Sequence, residues 1–205
     1  VNKIIDLGHK PASKPENEKD RLNDLENLKI IEENISKSKR FSSFPKLAAT
    51  LTECDKAAIN IVDETTQHCK VNFGMDAMEN MMTKEIPREL SVCAHVLNND
   101  SGSLVINDLT KDDRTKHVFE LNNPVINNTF PRFYAGSPII TSNGYILGSF
   151  CVFNSKPKSL DSSKVEGLRM LADQFIDLYE STRSDYQRGI EDESQSQEKI
   201  KGEYY

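Results

Sequence analysis

Histidine and cysteine residues lie close together at two places in the sequence. His68 is followed directly by Cys69, and one residue separates Cys93 from His95. These residue types bind zinc or iron in many proteins. Adjacent residues on a strand point to opposite faces, however, and residues two apart on a helix lie about 200° apart. We therefore expect no metal site at these two pairs.

The cysteines could instead support thiol chemistry. The four cysteines are spread along the chain without the dense spacing of a disulfide framework, which predicts reduced thiols in a cytoplasmic protein. A thiol-dependent reductase gathers two or three thiols at one pocket, because one thiolate attacks the substrate and another closes a disulfide. The sequence shows no close pair of loop cysteines, so buried structural thiols are the preferred interpretation of Cys93 and Cys151.

Three polar residues near the ends of predicted elements are further candidates. Ser91 begins a short predicted helix, where N–H groups could bind an anion or where Ser91 could simply cap the helix. Asp108 follows an apolar strand, and Arg114 lies six residues later. Each of these two could contact a polar ligand. Alternatively, Asp108 could fix a turn while Arg114 pairs with a nearby carboxylate.

Length and charge limit the classes of partner. The chain has 205 residues, enough for one domain with a sizeable core, and its net charge is -6 with a pI near 5.3. Duplex nucleic acid and anionic membranes are therefore poor partners. Residues 133–155 carry no charge, but the Asn143-Gly144 pair between two short apolar runs indicates a β-hairpin, not a membrane span. The first ten residues lack a signal-peptide hydrophobic region.

Apolar spacing and turn residues predict an α+β domain. Helices are predicted over 20–33, from Ser43 to before Asp55, over 91–96, and after Asp161 or Ser162. Strands are predicted at 57–62, 69–73, 104–107, 132–140 and 145–153. Helices at both ends with hairpin-linked strands between them indicate an antiparallel sheet with the terminal helices on one face. We expect a flexible segment over 1–19, the domain over 20–183, and a polar tail or fraying helix end over 184–205.

The predicted hairpin has two distinct faces. Side chains alternate along a strand, and an even-length turn at 141–144 pairs even positions with odd ones. One face is nearly all apolar and suits a core: Phe133, Ala135, Ser137, Ile139, Ile146, Gly148, Phe150 and Val152. The other face is mixed: Arg132, Tyr134, Gly136, Pro138, Ile140, Tyr145, Leu147, Ser149, Cys151 and Phe153. The mixed face is either a pocket wall or the solvent face of the sheet.

Four blocks of the sequence resemble the GAF domain family of small-molecule sensors. They are residues 20–31 with AAINIVD at 57–63, PRELSVCAH at 87–95, LVINDLTKDDR at 104–114, and RFYAGSP at 132–138 with Gly144 and LGSFCVF at 147–153. The resemblance covers roughly residues 20–180. It implies a central antiparallel sheet of about six strands, a ligand pocket roofed by the segment between the second strand and the hairpin, and terminal helices that often dimerise.

A sensory or regulatory domain without enzymatic activity is the leading interpretation. It would bind an unidentified small molecule, and the candidate ligand-binding residues are Ser91, Cys93, Asp108, Arg132, Tyr134, Ser149 and Cys151. Residues from about Met75 to Asn128 should cover the mixed face. The terminal helices should carry the signal and form a homodimer through 22–31 and 165–179, because Ile30 and Ile176 lie off the main apolar stripe. No cofactor can be named.

The resemblance also offers alternatives on the same fold. One is a thiol-dependent reductase of the free methionine sulfoxide reductase type, and the lack of a close pair of loop thiols predicts that this activity is absent. Another is an interaction module whose pocket is collapsed. Covalent bilin attachment favours a cysteine next to a histidine in the chromophore region, but His68-Cys69 has the reverse order and lies on a predicted strand.

Overall fold

The computed structural model describes residues 10–99, 102–120 and 130–202. Six strands are present in this part of the chain: β1 (Lys56–Val62), β2 (Thr66–Phe73), β3 (Glu85–Pro87), β4 (Leu104–Ile106), β5 (Phe133–Ile140) and β6 (Ile146–Asn154). They form one antiparallel sheet in the order β3-β2-β1-β6-β5-β4. The predicted α+β class and the antiparallel sheet are confirmed.

Helices precede, interrupt and follow the strands. The α-helices are α1 (Glu18–Leu28), α2 (Lys39–Thr52), α3 (Ala77–Thr83), α4 (Lys116–Glu120) and α5 (Ser162–Gly202). Short 3-10 helices occupy Ile35–Lys37, Arg88–Leu90 and Cys93–Asn98. The sequence predicted α1, α2 and α5 and the helical turn after Ser91, but not α3, α4 or β3. Among the described residues, no helix has both the length and the apolar character needed to cross a membrane.

Helix α5 begins where the sequence predicts and continues further. Asp161 Oδ1 accepts a hydrogen bond from the Lys164 N–H at 2.9 Å, as expected of a capping residue. The helix runs for 41 residues to Gly202, so residues 184–202 extend it as a regular helix. The end of the predicted tail, 203–205, lies outside the described residues. The domain boundaries themselves stay a prediction.

One face of the sheet packs under α1, α2 and α5. The core on this side contains Leu25, Phe41, Ala48, Phe150 and Phe175, each at most 4% exposed. Aromatic rings contact one another edge to face or tilted, with ring centroids of Phe41 and Phe175 5.8 Å apart. Such arrangements add to the free energy gained from burial. This helical side is the structural core of the domain.

The hairpin faces follow the predicted alternation except beside the turn. Ile140 pairs with Ile146 and Ile139 pairs with Gly148, so Leu147 is an extra residue in β6. This bulge turns Leu147 into the helical-side core, places Ile146 on the opposite side, and packs Tyr145 against the helical-side core. The predicted faces of these three residues are therefore wrong, because parity changes at a bulge.

The described part of the N-terminal segment contacts the domain. Ala12 packs against the cluster on the sheet face opposite the helices. The Asn98 side-chain amide donates to the Ser13 carbonyl oxygen, and Lys14 Nζ lies 3.2 Å from Glu64 Oε1. Residues 10–17, which the sequence assigned to a flexible segment, thus have specific neighbours. Residues 1–9 lie outside the described part of the chain.

Candidate functional site

A cavity of about 360 Å³ lies between the sheet and the segments that cover its non-helical face. Side chains of β1, β2, β5 and β6 form its floor. Its roof comes from α3, β3 and the turns on either side of Ser91, including Met75, Met82, Ile86, Leu90 and Val92. Volumes of this size are typical of small-molecule sites. The part of the mixed hairpin face at Tyr134 and Phe153 is therefore a covered pocket wall, as one of the two interpretations predicted.

The cover encloses the hairpin residues as expected. Tyr134 and Cys151 are both 0% exposed. Roof residues come from within the predicted span 75–128 as far as it is described, and Phe130 and Pro131 add to it. Residues 100–101 and 121–128 of the span lie outside the described part.

Two thiols and an amide meet at the floor of the cavity. Asn60 lies in the middle of β1, and its Nδ2 is 3.4 Å from Cys93 Sγ and 3.2 Å from Cys151 Sγ. The two sulfur atoms are 3.9 Å apart. Asn60 is 2% exposed, and its Oδ1 has no hydrogen-bond partner among the described residues. An unmatched buried acceptor beside a cavity is well suited to a ligand that donates a hydrogen bond.

A tyrosine and a serine extend this polar group along the hairpin. The Tyr134 hydroxyl lies 3.4 Å from Cys93 Sγ and 3.0 Å from Ser149 Oγ. A Cβ atom at Gly136 would lie only 2.2 Å from the Tyr134 hydroxyl oxygen and 2.4 Å from Ser149 Oγ. The glycine is therefore needed for the close approach of these two hydroxyl groups.

The buried groups differ in their ionisation. Burial disfavours the thiolate of Cys93, but hydrogen bonds, first from the Cys151 thiol and then from the Tyr134 hydroxyl, outweigh it and lower the pKa of Cys93. The pKa of Cys151 is raised well above its ordinary value by burial and by its neighbour Cys93. Burial and the two nearby thiols raise the pKa of Tyr134 in the same way. Cys93 is thus the thiol of this group that ionises first.

Two further polar elements face the cavity. Cys69 on β2 lines it, and burial raises the pKa of this thiol to about 11. Ser91 Oγ donates to Gln67 Oε1 at 2.6 Å and accepts from the Ala94 N–H at 3.0 Å. Ser91 therefore caps its helical turn, as one alternative predicted, while also lining the cavity.

Of the seven predicted ligand-binding residues, the structure brings five together. Ser91, Cys93 and Tyr134 line the cavity, whereas Ser149 and Cys151 lie directly behind them. Asp108 is not among the lining residues: it accepts hydrogen bonds from the Thr110 N–H and hydroxyl and so fixes a turn. Arg132 also lies outside the lining, with its guanidinium 4.4 Å from the centre of the Phe119 ring.

Arg114 takes the structural role that was one of its two alternatives. It forms a bidentate pair with Asp112, with Nε 2.8 Å from Oδ1 and Nη2 2.6 Å from Oδ2. This hydrogen bond raises the pKa of Arg114 and lowers that of Asp112.

The charged side chains at the cavity are few. Lys56 lines it and forms an ion pair with Glu79, which also lines it. His68 points away, with Nε2 2.7 Å from Asp63 Oδ2, while its neighbour Cys69 faces the cavity. Within the described residues, no group of three or more histidine, cysteine or acidic side chains is placed to hold a metal ion.

Sequence reasoning missed Asn60, Gln67 and the contact between the two thiols. Asn60 carried a signal, since it is the polar residue of the otherwise apolar run Ala57–Val62. The thiol contact brings together residues 58 positions apart. The expectation that a close pair of loop thiols is absent did not anticipate this contact, because it considered loop cysteines alone and not a helical turn packed on a strand.

The fold agrees with comparisons to known proteins. The sequence profile of the GAF domain matches residues 40–176, about two thirds of the chain. The chain therefore belongs to the GAF domain family, which confirms the resemblance. A cyclic di-GMP phosphodiesterase of Pseudomonas aeruginosa is 30% identical over 144 residues, covering 70% of this chain and 22% of that protein. The chain thus spans about a fifth of the length of this relative.

Solved GAF domains share the architecture at low identity. The blue-light-absorbing form of the PixJ GAF domain from Thermosynechococcus elongatus superposes with a TM-score of 0.58 at 15% identity, covering 83% of this chain and 95% of that one. The GAF domain of an Acinetobacter phosphoenolpyruvate-protein phosphotransferase gives a TM-score of 0.54 at 14% identity, covering 80% and 96%. At these identities the similarity establishes the fold alone.

Proposed function

We propose that the chain is a sensory or regulatory domain that binds a small uncharged molecule in the cavity. The observation that carries the proposal is the combination of an almost entirely apolar lining with Asn60 Oδ1, a buried acceptor without a partner. The matching ligand is a compact apolar molecule with one hydrogen-bond donor. Apolar contacts would supply most of the affinity, and the donor would set its orientation.

Charge argues against an anionic ligand. Lys56 is the one cation that lines the described cavity, and it is already paired with Glu79. A dinucleotide would place two phosphates here without cations to neutralise them, which is costly in an apolar site. We therefore do not propose a cyclic dinucleotide as the ligand of this cavity, although the name of the Pseudomonas relative includes one. A collapsed, pocketless interaction module is also disfavoured, because the cavity is open.

The terminal helices are the proposed output. Strands β5 and β6 of the cavity floor present their other side chains to α5, so a ligand that shifts either strand also changes the packing of the helix. Arg183 Nη1 lies 2.7 Å from Glu33 Oε1 and ties α5 to the segment after α1. Beyond that pair, α5 continues with a polar sequence to Gly202. This helical extension could transmit a change in the packing of α5 to a partner.

We further propose a homodimer that uses α5. Ile30 and Ile176 do not provide its surface, since they are 0% and 1% exposed inside the chain. Apolar residues that are exposed on α2 and α5 are Leu47 (54%), Leu51 (41%) and Met170 (57%). Helix α5 is about 60 Å long, and most of the stability of a helix in a protein comes from the packing of its apolar face. Pairing with α5 of a second copy would bury the apolar residues and support the extension.

The cavity is tested with an uncharged fluorescent probe, N-phenyl-1-naphthylamine, together with native mass spectrometry of the purified protein for a retained molecule. We expect saturable probe binding to the native chain. Val92→Phe should weaken it at least about tenfold by filling the cavity, whereas the same change at Val165, on α5, should not. Equal binding by both variants, or no binding by the native chain, would contradict the proposal.

The thiol contact favours a second candidate, the thiol-dependent reductase. Cys93 has a lowered pKa and Cys151 lies 3.9 Å from it, the two features that such a reductase needs. The test is consumption of free methionine sulfoxide with dithiothreitol as reductant. Turnover that disappears in Cys93→Ser would replace the sensory proposal, and absence of turnover would remove this candidate.

A further inference from the structure

The Cys93 and Cys151 side chains have the arrangement of a reactive dithiol. Their sulfur atoms are 3.9 Å apart, and a disulfide has a length of about 2.05 Å, so side-chain rotation and a small shift suffice to close the bond. Cys93 lies in the helical turn above the sheet and Cys151 on the central strand β6. A disulfide would therefore tie the roof of the cavity to its floor.

We propose that this pair is a redox-sensitive site at which a small organic hydroperoxide oxidises Cys93 and Cys151 to a disulfide. The two thiols have different access to the oxidant. Cys93 lines the cavity, whereas Cys151 lies behind it, with its sulfur 3.4 Å from the Ala58 carbonyl oxygen. An uncharged hydroperoxide that enters the apolar cavity meets Cys93 first.

Hydrogen bonds prepare Cys93 for attack. Asn60 Nδ2 and the Tyr134 hydroxyl lie 3.4 Å from its sulfur and stabilise a negative charge there. Burial raises the pKa of Cys93, but these hydrogen bonds outweigh burial and the pKa is lowered. Cys69, the other thiol that lines the cavity, has a pKa raised to about 11 by burial. The thiolate is the nucleophile in this chemistry, so Cys93 is the attacking residue and Cys69 is not.

The reaction consumes two thiols and one hydroperoxide. The Cys93 thiolate attacks the terminal peroxide oxygen, the O–O bond breaks, and the alkoxide leaves as an alcohol after taking a proton. Cys93 is now a sulfenic acid. The Cys151 sulfur attacks the Cys93 sulfur, the S–O bond breaks, and hydroxide leaves as water with the Cys151 proton. Two electrons pass from the thiols to the peroxide, and the products are one disulfide, one alcohol and one water.

The test uses the folded chain with cumene hydroperoxide, followed by denaturation, N-ethylmaleimide labelling and peptide mapping by mass spectrometry. We expect the oxidised chain to lose two of its four labels, to show a peptide linked through Cys93 and Cys151, and to recover both labels after dithiothreitol. Cys54→Ser, the matched control on the helical side, should still form the linked peptide. Cys151→Ser should stop at a Cys93 sulfenic acid that dimedone traps.

Several outcomes would overturn the inference. They are unchanged labelling, linkage of Cys69 in place of Cys93, or oxidation that occurs only after the chain is unfolded. Because native-chain mapping is decisive, the inference stays testable if a cysteine variant fails to fold. Binding of N-phenyl-1-naphthylamine by the reduced chain is measured in parallel. If the chain binds the probe but forms no disulfide, the redox proposal fails and the sensory proposal stands.

Discussion

The two faces of the sheet are built from the same strands but differ in packing: one is filled, and the other keeps a cavity. On the helical side, alternate residues of β1, β5 and β6 meet rings of α2 and α5, and the space is filled. On the cavity side, the intervening residues include Asn60, Tyr134 and Cys151. Asn60 and Tyr134 both hydrogen-bond to Cys93, Asn60 also bonds to Cys151, and about 360 Å³ beside them stays open. The first side provides stability through packing. The second keeps buried polar groups and space that packing alone would not favour.

Removing a ring from the filled side should have the largest effect. Phe175 is 0% exposed and contacts Phe41, Phe44 and Tyr179. Phe175→Ala should lower the free energy of unfolding by about 3 to 5 kcal/mol, because it leaves a cavity in a close-packed core. Urea denaturation followed by circular dichroism measures this.

The matched variant is Phe153→Ala on the cavity side. This ring is partly exposed and borders space that is already open, so its loss should cost less than that of Phe175. Equal losses for the two variants would remove the proposed difference between the sides.

The next effect concerns the hydrogen-bonded group in the cavity. Tyr134→Phe removes the hydroxyl beside Ser149 Oγ and Cys93 Sγ, which should cost about 1 to 3 kcal/mol of unfolding free energy. It should also raise the pKa of Cys93, since a donor to its thiolate is lost. Urea denaturation and the pH dependence of Cys93 alkylation by iodoacetamide report the two changes.

A double variant sharpens the same point. Adding Ser149→Ala to Tyr134→Phe removes both hydroxyl groups and should restore part of the lost stability, because no buried hydroxyl is left without its partner. A double variant as unstable as the sum of the two single changes would show that these groups act independently.

Sequence pattern predicted the filled side better than the cavity side. Alternation and helical spacing depend on burial alone, and so they located Phe150 and Phe175 correctly. The bulge at Leu147 was not predictable, because it depends on pairing between strands. The cavity depends on contacts between distant segments, such as Cys93 with Cys151. Short polar motifs did not predict which residues reach the cavity: Ser91 lines it, whereas Asp108 fixes a turn and Arg132 stacks on Phe119.

A carboxylate at the edge connects the two sides and should make stability depend on pH. Glu18 on α1 pairs with Arg21 and with Arg88, which lies between β3 and Leu90 in the segment that forms the cavity roof. Although burial alone would raise it, these hydrogen bonds lower the pKa of Glu18 from 4.5 to about 2. The unfolded chain therefore takes up a proton at a higher pH than the folded chain. The stabilisation by the ionised Glu18 carboxylate is complete above pH 4.5 and is lost as the pH falls from 4.5 through about 2.

Glu18→Gln should flatten this part of the stability profile, measured by urea denaturation at several acidic pH values. Glu26→Gln, an exposed carboxylate on the same helix, is the control and should leave the profile unchanged. An identical acid profile in the Glu18 variant would show that the link between the sides does not depend on its charge.

The smallest effect on folding should come from the outer surface of the helical side, where we propose the dimer. Met170 is 57% exposed on α5, and Leu47 and Leu51 are exposed on α2. Met170→Glu should change the free energy of unfolding of the monomer by less than about 0.5 kcal/mol, as is usual for an exposed position. It should nevertheless separate the dimer, because a charge buried between two copies has no partner there. Sedimentation equilibrium at micromolar concentration should give twice 23.2 kDa for the native chain and 23.2 kDa for the variant.

Met81→Glu, at a methionine that is 76% exposed on α3 over the cavity side, should remain dimeric. A native chain of 23.2 kDa at all concentrations would refute the dimer, and a dimer that survives Met170→Glu would place its interface elsewhere.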